Sequence, residues 1–83
     1  MAAKVGFRIT RCVWLDVTCN ATAGVESTHA HGLGATPDFV LITSSSAGYI
    51  YLSSTATDAT NIYLKSSLNS ATGIVLAGFF ESD

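Results

Sequence analysis

The run Thr28-His29-Ala30-His31-Gly32-Leu33-Gly34-Ala35-Thr36-Pro37-Asp38-Phe39-Val40-Leu41-Ile42-Thr43 constrains the fold more than any other stretch of this chain. It reads as a strand, a glycine-rich corner, the only proline, and a second, strongly apolar strand. Gly32 and Gly34 open backbone angles that are closed to other residues. Pro37 fixes its own φ and biases Thr36 toward extended structure. Such a segment turns the chain sharply and starts the next strand in a defined register. Its chemistry is architectural, and nothing in it is arranged for catalysis.

The rest of the chain is built the same way. No window combines a helical apolar period with good helix formers, and β-branched, aromatic, Ser and Thr residues dominate. Val5, Phe7 and Ile9 alternate with Lys4, Arg8 and Thr10. Val13, Leu15 and Val17 then alternate with Cys12, Trp14 and Asp16. Arg11 breaks the parity between these runs, which predicts a bulge or bend near Thr10 and Arg11. Residues 18–24 read as a loop and 25–30 as a weaker strand. Residues 39–43 are apolar on both faces, as a central strand is. A turn over 44–48 leads to a returning strand over 49–52, a hairpin. Strands over 61–66 and 73–80 complete a set of six to seven, with turns about every 8–12 residues. The expected fold class is all-β: a compact antiparallel sandwich or small barrel, one domain over residues 1–83, with 1–4 as a flexible arm.

Composition narrows the partners. Charged residues make up 12% of the chain and apolar ones 48%, against about a quarter charged in ordinary domains. That balance argues against disorder. Several strands are apolar on both faces, more than one thin core can hide, so an outer face is expected to be buried against another subunit. Four basic residues and a net charge of −2 give no footprint for nucleic acid. The longest apolar run, 73–80, falls far short of the roughly 20 residues of a membrane-spanning helix. The N-terminus lacks the apolar segment of a secretion signal, so synthesis in the cytoplasm and reduced cysteines follow. Cys12 and Cys19 match neither a zinc nor a redox spacing and read as two buried free thiols.

Chemistry finds little support. His29 and His31 point to the same side of an extended strand, but a metal site needs a third ligand; Asp38 or Glu26 could serve, and nothing in the spacing demands either. A structural role is the better reading, with His31 hydrogen-bonded at the corner, and no cofactor is expected. Asp16, Glu26, Asp38 and Asp58 show no pairing for acid–base work, and no serine lies in a nucleophile elbow. Trp14, Tyr49, Tyr51 and Tyr63 are the candidate interface or ligand aromatics. Core and cross-strand packing is favoured for Trp14, and an outward setting for the tyrosines.

The segment from His31 through Gly32, Leu33, Gly34, Ala35, Thr36 and Pro37 to Ile42 resembles one recurring in small β-sandwich virion proteins of tailed bacteriophages. There a histidine, a Gly-Leu-Gly turn and a Thr-Pro pair precede a strand rich in Val and Ile. The run Asn61-Ile62-Tyr63-Leu64, a Ser/Ala loop and the closing segment 73–80 are similar to that group as well. The likeness spans the last two-thirds of the chain, and residues before Gly24 add nothing to it. The group includes tail-fibre and spike domains, some similar to H-type lectins, and small virion surface proteins. The resemblance implies a non-enzymatic virion protein, made in the host cytoplasm and often a homotrimer. A chain running from Met1 to Asp83 with no stalk leads us to expect a capsid decoration (cement) protein that binds the major capsid protein. The alternative is a receptor module that stacks surface glycans on its tyrosines.

Overall fold

The computed structural model describes residues 9–81. Among them the protein is all-β, with six strands: β1 (Ile9–Thr18), β2 (Ser27–Ala30), β3 (Phe39–Ser44), β4 (Ile50–Leu52), β5 (Asn61–Ser66) and β6 (Thr72–Phe80). They form two antiparallel three-stranded sheets, ordered β1-β6-β3 and β2-β5-β4. We call these the first and second sheets; they pack as a small β-sandwich. The expected arm over residues 1–4 and the alternation through Arg8 lie outside the described residues.

Strict alternation decides which side chains fill the space between the sheets. In β5, Ile62, Leu64 and Ser66 are buried, while Asn61, Tyr63 and Lys65 are only partly covered. In β6, Val75 and Ala77 point inward and Ile74 and Leu76 outward. Ile62, Leu64 and Val75 are fully buried; Val17, Ile50, Leu33, Cys19 and Ala71 complete the core. Burying each large aliphatic contributes about 1.5–3 kcal/mol. Val13, Leu15, Val40, Ile42 and Phe79 pack around this cluster.

The central strand β6 is lined with small residues where neighbours come close. A Cβ added at Gly78 would collide with the Arg11 carbonyl and come within 2.7 Å of Cys12. One at Gly73 would meet the Thr43 carbonyl and Ile50 at 2.7 Å. A register shift falls between Ile9 and Arg11: Ile9 faces Phe80 and Arg11 faces Phe79, leaving Thr10 as the extra residue of a bulge. The broken parity at Arg11 foretold its place.

Two sequence expectations are corrected. Segments 39–43 and 49–52 do not form a hairpin. β3 pairs with β6 and β4 with β5, and the turn between them carries the chain from one sheet to the other. Nor is β3 central; it is an edge strand. Its second apolar face, Phe39 and Leu41, is turned away from the core, and Leu41 is 58% exposed. On β4 Ile50 is buried and Leu52 is exposed.

This layering makes a sharp prediction for denaturant titration. Leu64→Ala is expected to lose about 2–5 kcal/mol through the cavity it leaves. Leu41→Ala in dilute solution is expected to change stability by no more than about 0.5 kcal/mol. Equal losses at the two positions would contradict the assigned faces.

Candidate functional site

The glycine corner is held by one histidine. Gly32 and Gly34 take φ of 71° and 79°, the left-handed region that glycine enters without strain. His31, only 2% exposed, ends the extended segment after β2. Its backbone N–H donates to the Thr60 carbonyl at 3.1 Å. The Leu33 N–H donates to Nδ1 at 3.1 Å, so Nε2 carries the proton and donates it to the Asp58 carbonyl at 2.8 Å. Arg11 Nη1 donates to the Leu33 carbonyl at 3.2 Å, tying the corner to β1. Both nitrogens of His31 are thus spent on structure.

His29 is half-buried, and its Nε2 lies 2.7 Å from Ser27 Oγ. The Ser27 hydroxyl donates to the Leu64 carbonyl at 3.3 Å, which leaves the ring to donate into the hydroxyl. A serine wired this way has its proton directed away from the base and is not activated for attack. Burial holds the His29 imidazole below its ordinary pKa. The two histidines therefore do not converge on a common ligand. Among the described residues no group of three or more His, Cys, Asp or Glu comes together.

The acidic residues are also committed locally. Asp58 Oδ1 accepts from the Thr60 and Asn61 N–H groups at 2.8 and 2.7 Å, and Oδ2 accepts from the Tyr63 hydroxyl at 2.8 Å. These bonds, led by that from Asn61, hold its carboxyl below the ordinary range and push the Tyr63 phenol up. Glu26 Oε1 accepts from the Ser53 hydroxyl at 2.5 Å, which with Thr55 and the charge of Lys65 lowers its pKa. Asp38 Oδ2 accepts from the Phe80 N–H at 3.0 Å, anchoring the start of β3 to the end of β6. Asp16 is exposed on the outer side of β1.

The two outer faces differ in kind. On the first sheet, Trp14, Leu41, Thr43, Ile74 and Leu76 line a shallow apolar groove. Trp14 faces Leu76, and Leu76 faces Leu41, so three strands contribute one continuous row. Trp14 is 66% exposed, which corrects the expected core packing: it shares parity with Cys12 and Asp16, the outer side of β1. The same parity exposes Cys12, expected to be buried; Cys19 is buried and both thiols are free. At one end of this sheet Phe39 and Phe80 stack, with ring centroids 5.1 Å apart. Leu41, Ile74 and Leu76 were not singled out from the sequence, although their doubly apolar strands carried the signal.

The second sheet presents a polar, aromatic surface. Tyr51 pairs with Lys65 and Thr28 with Tyr63, and Glu26 reaches across to Ser53. Tyr49 and Tyr51 are exposed, their ring centroids 5.8 Å apart and tilted by 43°. Tyr63, partly covered, is pinned by Asp58. Searches against family models, curated proteins and solved structures find no match to this chain. Among the described residues no helix is long and apolar enough to cross a membrane.

Two outcomes follow from this bonding. Replacing His31 by Ala strands the Leu33 N–H and the Asp58 carbonyl, and the fold is expected to lose at least about 1–3 kcal/mol. A Tm unchanged in His31→Ala would contradict the pinned corner. The pH dependence has two limbs. The lowered His29 pKa gives stability that is complete above the ordinary imidazole value and declines as pH falls through it. The lowered Asp58 and Glu26 values give stability present above the ordinary carboxylate range and lost as pH falls through their folded pKa values. In a Tm–pH series, His29→Gln should flatten the first limb and Asp58→Asn part of the second.

Proposed function

We propose that this chain is a non-enzymatic assembly protein, a capsid decoration protein of a tailed bacteriophage that works as a homo-oligomer on the shell. The observation that carries the reading is the apolar groove of Trp14, Leu41, Ile74 and Leu76. A tryptophan and a leucine exposed by 66% and 58% on one sheet face resemble the core of an interface awaiting its other half. The bacteriophage setting is drawn from the resemblance of the segment 31–42. The local commitments of His31, Asp58 and Glu26 support a scaffold reading over a catalytic one.

On this reading the first sheet packs against neighbouring copies or the capsid lattice, and the outer face of the other sheet is turned to solvent. Shape-complementary apolar contact, repeated at many lattice positions, stabilises the shell by multivalent attachment. A glycan-binding reading is favoured by the exposed Tyr49–Tyr51 pair beside Lys65, a surface on which a sugar ring could stack. The two are compatible, since they use opposite faces.

Incubation of purified protein with capsids that lack it, followed by electron cryo-microscopy, tests the capsid reading. Ordered density on the shell, reduced tenfold or more in occupancy by Trp14→Asp, is expected. No density with the unaltered chain would contradict it. Tyr49→Ala with Tyr51→Ala should leave shell binding intact and abolish binding on a glycan array. An array without hits would remove the glycan reading.

A further inference from the structure

We propose that two copies of this chain join edge to edge through β3, antiparallel about a two-fold axis, to make one continuous six-stranded sheet. The proposal rests on the reading of the protein as a homo-oligomer and assigns that oligomer a symmetry, two-fold where the resemblance implies three.

The hydrogen-bond pattern shows which backbone groups face out. The Ser45 N–H donates to the Thr72 carbonyl at 2.9 Å in register with the β3–β6 pairs. In an antiparallel ladder bonded residues alternate, so Thr43 and Leu41 direct their N–H and C=O groups at β6, while at the start of the strand the Asp38 N–H donates to the Gly78 carbonyl at 2.7 Å. Val40, Ile42 and Ser44 direct theirs away from β6. No described strand lies beyond them. This is a row of donors and acceptors that another extended strand can satisfy.

Comparison with the other sheet edges singles β3 out. Free edges are ordinarily protected by charge, proline, bulges or shortness. β1 carries a bulge at its start together with Arg11 and Asp16. β2 has four residues and β4 three. β3 has six, reading Phe-Val-Leu-Ile-Thr-Ser, with no charge, no proline and an unbroken register against β6.

The strand is also complementary to itself. A two-fold axis normal to the sheet keeps outer side chains on the outer side, which sets Leu41 against Leu41 or Thr43 of the second copy. No like charges meet in either register. The outer apolar row Trp14–Leu76–Leu41 then continues into the second copy's row, so backbone pairing and burial of the exposed Leu41 are gained together. A partner strand bearing charges would leave them beside this row without counterparts, which favours a second copy as the occupant.

The test is charge exchange at the exposed Leu41, read by sedimentation equilibrium of the full chain. The unaltered protein is expected at twice its 8.6 kDa chain mass. Leu41→Lys and Leu41→Glu should each be monomeric, and their equimolar mixture should return to the dimer. Amide exchange at Val40 and Ile42 should slow at least tenfold in the dimer relative to either variant. Circular dichroism reports whether each variant is folded. A trimer that persists in Leu41→Lys would overturn the two-fold pairing while leaving an assembling protein. A monomer at all concentrations that still binds capsids overturns the pairing alone, whereas one that binds none overturns the assembly reading as well. If deletion of residues 1–8 is what changes the protection at Val40 and Ile42, the edge is occupied by that segment and the proposal fails.

Discussion

The contact between β5 and β6 across the sandwich is the interaction on which the rest depends. Ile62 and Leu64 from one sheet meet Val75 and Ala77 from the other in a layer from which water is excluded. Among the described residues each sheet has three strands, so every other element is placed relative to this pair of central strands. Small residues make the arrangement possible. Gly73 and Gly78 let Thr43, Ile50, Arg11 and Cys12 approach the backbone of β6. The His31 corner closes the layer at its side, where Leu33 enters the core beneath a ring bonded at both nitrogens.

A core this thin has a consequence for the outside. Each strand has two faces, and the space between the sheets admits one of them. Where the other face is polar, as on β5 with Tyr63 and Lys65, water receives it at little cost. Where it is apolar, as at Trp14, Leu41, Ile74 and Leu76, the isolated chain leaves a hydrophobic row in solvent. Covering that row is the favourable free energy available to an assembly. The same sheet ends in β3, a six-residue edge strand without charge, so the driving force and the backbone complementarity lie side by side.

Much of the fold was legible because strand signals are local. The extents of β5 and β6, the bulge beside Arg11, the positive φ at Gly32 and Gly34 and the bonded His31 all follow from neighbours in sequence. What failed was non-local. The Ser-rich turn before Tyr49 has the composition of a hairpin, yet it crosses between sheets, because pairing with β6 and β5 satisfies β3 and β4 better than pairing with each other. Alternation in β1 divided Val13, Leu15 and Val17 from Cys12, Trp14 and Asp16 correctly. It could not say that Trp14, the largest side chain in that run, belonged to the outer set. Cross-strand packing favours an inward Trp14, while parity with Asp16 points outward.

Trp14 is the chain's single tryptophan, and it sits in the groove proposed for assembly. Its emission and its quenching by acrylamide, followed across a rising protein concentration and then with capsids added, therefore measure directly whether that face becomes covered. A shift to shorter wavelength and a several-fold loss of quenching are expected as the face is buried. Emission typical of an exposed indole, equally quenchable under every condition, would contradict assembly through this face.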